Sequence, residues 1–583
     1  MRAVMIMFDS LNRRFLDSYN NTSQDTKNFT RLAEHSVQFE RFYVGSLPCI
    51  PARRELHTGR YNFLHRGWGP LEPFDDSMPE LCKKEGIYTH LVTDHKHYWR
   101  DGGSTYHNRY NSYEFIRGQE GDTWIGQVKR PQITLPVGEN KQRSQRKYIS
   151  RTQDIINRQY LENQNTHTLI QTMEKGIEFI QTNHQADHWF LQIECFDPHE
   201  PFYVPEQYLQ KAKVKNIFDG WPQYGPKDDN AELEDTIINT YRATIMMCDD
   251  YLGMILDQFD ELNLWDDTLL MVCTDHGFLL GEHQWWGKNL MPVYDEIANT
   301  PFFLWDPISK QRGTKYNHIA QTIDIPATIL DFFDIQKPQD MQGISLLNTL
   351  QVNKPIKELA LYGYFGCNVN ITDGIYSYSR APVSSLCYEY TLMPMRINRL
   401  FTPDELSSVQ LVDPLVFTKG VPILRLESQD FLAENYSRFG HRLYNLVSDP
   451  KQLAHIENID VEVEYVNKMR SMMIANGATI ETLRYYGLEE MMMYQDILQE
   501  KKAYNSLFDD QYHHLQFDNL EVKHGFLALL RWLKQEKAEQ LLSTTQPNYC
   551  IDASYLWQCV DQHIPEANRQ EVQYFIKLNM RIT

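Results

Sequence analysis

The sequence predicts an α/β protein: a mostly parallel sheet covered by helices, followed by a smaller α+β unit and a helical extension. Three observations carry that prediction. Over about the first 350 residues, short β-rich runs alternate with amphipathic stretches, the pattern of parallel strands joined by helical crossovers. Four of the β-rich runs end in polar, chemistry-capable residues. Between them lie segments whose apolar residues recur at helical spacing.

The chain opens Met1-Arg2-Ala3-Val4-Met5-Ile6-Met7-Phe8-Asp9, a strand over 4–8 running into Asp9. A second strand, 90–93, leads into Asp94-His95-Lys96-His97. Leu169, Ile170, Met173, Ile177 and Ile180 place a helix over 168–180, ahead of a third strand at 189–196 that leads into Asp197-Pro198-His199. A second helix covers 241–256, and a fourth strand, 269–274, leads into Asp275-His276-Gly277. In open α/β sheets ligands bind outside the carboxyl ends of strands, so four neighbouring strands of this kind converge on one crevice. The pattern loosens over 338–355, which sets a first domain at 1–355. A smaller α+β domain over 356–480 contains Tyr376-Ser377-Tyr378-Ser379-Arg380, and a helix-rich extension without a chemical motif occupies 481–583.

At 583 residues the chain exceeds what one hydrophobic core usually serves. Hydrophobic residues at 42% and charged ones at 23% are those of a globular protein rather than a disordered one. A formal charge of -20, with only 57 Lys and Arg, opposes binding to nucleic acid or to an anionic membrane. A small anionic substrate then needs a local cationic cluster or a metal acting against the global field. No run approaches the ~18 apolar residues of a membrane span. The N-terminal run has neither a long apolar region nor a small-residue cleavage site, so a cytoplasmic protein is expected. Nine scattered cysteines, an odd number, read as reduced thiols. The sequence is silent on oligomeric state; a homo-oligomer stays open, with the C-terminal helices either packing across a subunit interface or covering the sheet.

The most informative segment is Cys49-Ile50-Pro51-Ala52-Arg53-Arg54-Glu55-Leu56-His57-Thr58-Gly59-Arg60. It resembles the signature of the formylglycine-dependent sulfatases. Cys49, Pro51, Arg53, Thr58, Gly59 and Arg60 stand where that family has them, while His57 replaces the customary Leu. Six such matches arise by chance on the order of once in 10⁵ chains of this length. A lone Cys is more often a buried structural residue; here the flanking pattern reverses those odds. The resemblance implies an alkaline phosphatase-like α/β/α sandwich with a mostly parallel central sheet. It also implies that a separate formylglycine-generating enzyme oxidises Cys49 to an aldehyde. The hydrate of that aldehyde attacks sulfur through one oxygen and releases sulfate when its other hydroxyl is deprotonated, a route closed to Ser or Cys.

The same resemblance implies one divalent metal held by Asp9, formylglycine 49, Asp275 and His276. Ser10 stands where the family has an acidic neighbour of Asp9, and a hydroxyl binds a hard cation less firmly than a carboxylate. Oxygen-dominated ligation favours Ca²⁺, with Mn²⁺ or Mg²⁺ open beside the imidazole. Asp275 alone reads equally well as a helix N-cap; its context, Thr274-Asp275-His276-Gly277 followed by Gly281-Glu282-His283, favours the ligand. Lys288, in Trp286-Gly287-Lys288-Asn289, sits where the family's lysine contacts sulfate and the leaving oxygen. His199 resembles the histidine that binds and protonates the leaving group, against the plainer alternative of a loop His held by backbone. His95 and His97 stand where many members carry Lys-x-His. His97 then serves as the base that collapses the sulfated diol, and His95 makes the sulfate contact, with a positive charge that depends on pH. Arg53 fixes the formylglycine through a charge-assisted hydrogen bond, and Arg54 reads as a surface charge. Segments 321–330, 342–347 and 443–450 extend the resemblance over most of residues 1–455.

Trp68, Trp99, Trp285 and Trp286 lie near these residues in sequence, and aromatic faces stack on sugar rings. A sulfated carbohydrate is therefore the expected substrate, with core packing the alternative role for each Trp. Two rivals remain. A phosphonate monoester or phosphodiester hydrolase makes similar electrostatic demands. A non-catalytic binding protein would explain Ser10 and His57 as decay, against the retention of Cys49, Arg53, Lys288 and both histidines.

Overall fold

The structure, a computed structural model, describes residues 1–501 apart from 21–24, 134–140, 162–165, 217, 228–229, 385, 398–400 and 429–439. The predicted helical extension from residue 502 onward lies outside the described residues. Eight strands build the main sheet: β1 (Arg2–Phe8), β2 (Val37–Phe39), β3 (Tyr88–Thr93), β4 (Ser112–Phe115), β5 (Trp189–Cys195), β6 (Thr268–Thr274), β7 (Phe303–Trp305) and β8 (Thr314–Tyr316). Their spatial order is β8-β2-β7-β6-β1-β5-β3-β4, and only β7 runs against its neighbours.

The four predicted strands are the four central ones on this side of β7, and they lie side by side as the crevice requires. Phe8 pairs with Cys195 on one side and Thr274 on the other, and Thr93 pairs with Glu194, so the polar residues that follow emerge at one level. β5 ends at Cys195, one residue earlier than expected. The Cys195 carbonyl accepts from Asp9 N at 3.0 Å, while Phe196 N is drawn to Asp94 Oδ1 at 2.7 Å, and the chain leaves the ladder there.

Every side chain of β1 is buried, and alternate residues serve different cores. Val4, Ile6 and Phe8 pack with α1 (Lys27–His35), α3 (Thr168–Asn183) and α4 (Ala231–Glu261). Ala3, Met5 and Met7 pack with α2 (Cys49–Thr58) and α5 (Asp324–Phe332) on the other face. The two cores make the three-layered α/β/α arrangement. A one-residue slip of β1 would exchange the two sets, so burial on both faces fixes the register that the site needs.

Behind the main sheet a second one of five strands takes Ser46–Leu47, Ala360–Tyr364, Val369–Thr372, Tyr376–Arg380 and Arg442–Asn445. Its core includes Tyr465, Val466, Met469 and Met473 of α6 (Ile459–Ala475), together with Leu483, Tyr485 and Leu488. Ser46–Leu47, separated from Cys49 by Pro48, runs parallel to Ala360–Tyr364, so this sheet holds the approach to α2. The described cysteines, Cys49, Cys82, Cys195, Cys248, Cys273, Cys367 and Cys387, are all buried. Among the described residues no helix is long and apolar enough to cross a membrane.

His57, the residue that departs from the signature, is buried on α2 with Nδ1 2.7 Å from Ser77 Oγ. Burial, aided by Arg109, lowers its pKa to about 3; His65 is likewise lowered to about 3, and His90 and His167 to about 4. These rings are neutral in the folded chain and take up protons on unfolding once pH falls below their unfolded value of ~6.5. Stability therefore falls as pH drops from ~6.5 towards 4. Urea unfolding of His57→Leu over that range is expected to show a pH slope shallower than wild type by up to about 1.4 kcal/mol per pH unit.

Candidate active site

The carboxyl end of β1 supplies Asp9, that of β6 supplies Asp275 and His276, and the first residue of α2 supplies Cys49. All four are fully or nearly fully buried, and one potential ligand atom from each lies within 4.8 Å of the others. Cys49 Sγ is 3.3 Å from His276 Nε2, 4.0 Å from Asp9 Oδ1 and 3.4 Å from Lys288 Nζ. His276 Nδ1 lies 3.0 Å from the Gly277 carbonyl, so the proton sits on Nδ1 and the Nε2 lone pair faces the cluster. Two carboxylates, an imidazole nitrogen and position 49 are a donor set that fits a hard divalent cation. The electrostatics agree. Burial, then the nearby Asp9 charge, pushes Asp275 up to about 7, the response of two crowded carboxylates. Burial also tends to raise Asp9, but Lys288 and Arg53 hold it well below the usual carboxylate range.

Arg53, one turn after Cys49 on α2, ties the cluster together. Its Nε donates to Glu194 at 2.7 Å, Nη1 to Asp275 at 2.7 Å and to the Cys49 carbonyl at 3.0 Å, and Nη2 to Asp9 at 2.9 Å. Glu194, the penultimate residue of β5, also accepts from Tyr98 Oη at 3.1 Å and Gln192 Nε2 at 3.2 Å. Sequence reasoning missed Glu194. Its signal was an acid near the end of an otherwise largely apolar strand, Trp189–Cys195.

Ser10 occupies a defined place between the charges. Its hydroxyl donates to Asp9 Oδ1 at 2.7 Å and accepts from Lys288 Nζ at 2.8 Å, while its N–H donates to Asp275 Oδ1 at 3.0 Å. Lys288 Nζ is itself 3.7 Å from Asp9 Oδ1. The hydroxyl thus hands the lysine on to the carboxylate where an acidic neighbour was expected.

His95, His97 and His199 form a second layer. The His95 ring is fully buried, has no hydrogen bond at either nitrogen among the described residues, and packs against His97, Tyr98 and Phe196 with centroids 4.9, 5.1 and 5.4 Å away. Burial, then Arg53, holds its pKa well below the usual imidazole value. The ring is neutral near pH 7 and is not the titrating cation expected from the sequence. His97 stands edge-on to Trp68 at 5.1 Å with Nε2 3.7 Å from Glu120 Oε2. His199 lies on Phe196 at 4.2 Å and directs Nδ1 to the Glu200 carbonyl at 2.5 Å.

Other expectations change. Arg54 is not a surface charge: it is 1% exposed and donates to the Gly69 carbonyl at 2.7 Å, because α2 is buried on all sides. Trp286 packs in the core with Val4 and Phe278, and Trp285 is also buried. Trp99 is half exposed and faces Arg117 and Phe115. Trp68 is set against a candidate site residue, His97.

The Sulfatase family model matches residues 2–335, more than half of the chain. The chain belongs to the sulfatase family. As a member it is a sulfuric ester hydrolase. It is 23% identical to the arylsulfatase of Clostridium perfringens over 379 residues, covering 60% of this chain and 78% of the relative. Among solved structures it resembles the phosphonate monoester hydrolase of Agrobacterium radiobacter, with TM-score 0.56, 19% identity, and coverage of 82% of this chain and 96% of that one. It also resembles the protein BT4656, solved with its substrate D-glucosamine-2-N,6-O-disulfate, with TM-score 0.54, 13% identity, and coverage of 84% and 99%. These likenesses establish the alkaline phosphatase-like fold.

Two variants test the geometry. Arg53→Met leaves three buried carboxylates without their shared cation and is expected to cost about 3–5 kcal/mol in urea unfolding. Ser10→Ala breaks the link from Lys288 to Asp9 and is expected to lower kcat/KM for an aryl sulfate about tenfold, with a much smaller change in the urea midpoint.

Proposed function

We propose that the sulfatase acts on a sulfate ester of a carbohydrate, using a formylglycine made from Cys49 and one divalent cation held by Asp9, residue 49, Asp275 and His276. The observation that carries this reading is the convergence of Cys49 with those three donors and Lys288 at the N-terminus of α2. As an unmodified thiol Cys49 is poorly suited to attack. Burial, then the Asp9 charge, raises its pKa well above the usual value, so little thiolate forms near neutral pH. A hydrated aldehyde at that position would supply two hydroxyls on one carbon, one for attack on sulfur and one for release, and Ca²⁺ is favoured as the charge-neutralising cation.

The chain's own groups supply the rest. Arg53 holds the backbone of residue 49, through its carbonyl, against Asp9 and Asp275. Lys288 presents its ammonium to the sulfate and leaving oxygen, and His95 offers a neutral N–H to a sulfate oxygen. His199, with Nδ1 occupied by the Glu200 carbonyl, has Nε2 to carry the proton to the leaving group. His97 is the base for release. The saccharide reading rests on Trp68, which shares the site with His97, and agrees with the sulfated amino sugar bound by BT4656. Maturation calls for a formylglycine-generating enzyme. In domain terms, residues 1–355 form the catalytic unit and the smaller one begins at 356; it runs past the boundary expected at 480, since Leu483, Tyr485 and Leu488 pack in its core.

Phosphonate monoester hydrolysis is the second reading, favoured by the likeness to the Agrobacterium radiobacter enzyme. Side-by-side kcat/KM on a sulfate monoester and a phosphonate monoester is expected to favour sulfate by more than tenfold. After co-expression with a maturing enzyme, peptide mass spectrometry is expected to find an aldehyde at position 49, and Cys49→Ala to abolish turnover. Chelation is expected to remove activity and lower Tm, with Ca²⁺ restoring both. A thiol retained at position 49 in a fully active preparation would overturn the formylglycine step.

A further inference from the structure

Glu200 follows His199 in the loop after β5, and its side chain is only 9% exposed. Oε1 accepts a hydrogen bond from Tyr224 Oη at 2.6 Å. Among the described residues, Oε2 is buried without a hydrogen bond. Among the described residues its one ion-pair contact is His199 Nδ1, 3.2 Å from Oε2, and that N–H is directed at the Glu200 carbonyl instead. Asp9, Asp275 and Glu194 share Arg53, and Glu120 has Lys96 Nζ at 3.1 Å, while the buried Asp94 and Asp197, in the same loops as His95 and His199, are held by the Phe196 N–H and the Gln119 amide.

The position of this carboxylate is fixed from two sides. The Trp285–Gly287 strand, which delivers Lys288, pairs with Gly225–Pro226 and brings Tyr224 against Gly287. A Cβ on Gly287 would lie 2.9 Å from the Tyr224 ring, and the glycine's φ of +106° also disfavours any side chain there. Glu200 therefore sits where the His199 loop meets the Lys288 strand, within electrostatic reach of Lys288. Its partner Tyr224 is in turn within reach of Cys49.

A buried acceptor left without a donor calls for an explanation, the more so in a site that must attract an anion. A hydrogen-bond donor on the leaving group supplies one. Such a donor is absent from a simple aryl sulfate and present on a sugar, as a hydroxyl or an ammonium beside the ester. Sites built around a polar partner reject analogues that lack it far more strongly than apolar pockets reject a missing methylene.

We propose that Glu200 is a specificity-determining residue whose Oε2 accepts a hydroxyl or ammonium hydrogen from the leaving group next to the sulfate ester, selecting hydroxy- and amino-sugar sulfates over aryl sulfates. The proposal rests on the saccharide sulfatase reading. It differs from a positioning role for Glu200 through His199, which would affect all substrates alike.

The test compares wild type, Glu200→Ala and Glu200→Gln, all converted at position 49, on galactose 6-sulfate, glucosamine 3-sulfate, whose ammonium is vicinal to the ester, and 4-nitrophenyl sulfate. Glu200→Ala is expected to lower the sugar-to-aryl ratio of kcat/KM by about 10–100-fold. Glu200→Gln keeps an acceptor but loses the charge, and is expected to lower the amino-sugar ratio more than the galactose ratio. In the Cys49→Ala background, calorimetry is expected to show Glu200→Ala weakening galactose 6-sulfate at least about tenfold more than inorganic sulfate. An unchanged ratio overturns the proposal, as does a Cys49→Ala chain that binds no sugar sulfate or binds it equally with and without Glu200. Selective loss of binding in a chain that turns over no sulfate ester would instead sink the catalytic reading and leave Glu200 standing.

Discussion

Arg53 and its three carboxylates are the constraint on which the rest of the site depends. The guanidinium reaches from α2 to Asp9 after β1, Glu194 in β5 and Asp275 after β6, the three strands at the centre of the sheet. A planar fork with donors on fixed vectors tolerates little displacement of its acceptors. Helix and strands are thereby registered to one another within hydrogen-bonding tolerance. Cys49 lies four residues before Arg53, on the same face of α2, so the interaction that locks the helix also aims its first residue at Asp9 and His276. A buried ion pair is weak evidence for stability; here it earns its place by fixing geometry.

The charge around Cys49 follows from that arrangement. Arg53 and Lys288 are two cations facing three buried carboxylates, while burial keeps His95 and His276 neutral. The deficit falls on Asp275, raised to about 7. A divalent cation among the donors would reverse that shift, because opposite charge favours the ionised carboxylate. Ser10 is intelligible in the same terms. A further acid between Lys288 and Asp9 would add like charge to the most crowded part of the cluster, whereas a hydroxyl donates to Asp9 and accepts from Lys288 without changing the total.

The central strands were legible in the sequence because each is an apolar run that stops at a polar residue, and the helices because their apolar residues keep a 3.6-residue period. β2, β7 and β8 were not, since three residues carry no period to read. Cys49, Asp9, Asp275, His276 and Lys288 were legible through a motif and its spacings, and they converge. Residues whose role depends on long-range contact were misread or missed. Arg54 looked exposed because charge usually marks surface, yet α2 is enclosed on every side. Trp286 looked available for a sugar but fills the core. Glu194 and Glu200 gain meaning only from Arg53 and Tyr224, which are distant in sequence.

The second sheet completes the argument, because it acts on the nucleophile from behind. Ser46–Leu47 is its edge strand, pairing with Gly363 and Tyr364, and Cys49 begins α2 two residues later. The Tyr364 hydroxyl donates to the Lys288 carbonyl, so one strand, Ala360–Tyr364, restrains both the approach to position 49 and the backbone of the lysine beside it. Glu55, buried on α2, accepts from Ser46 N at 2.6 Å and from the Thr322 hydroxyl, closing the same loop from the helix side. The main sheet places the carboxylates, and the second one braces the approach to Cys49 and the backbone of Lys288. Each half of the site is therefore incomplete on the sheet that carries the other, which accounts for the smaller unit being built onto the strand that enters the signature rather than onto a remote surface.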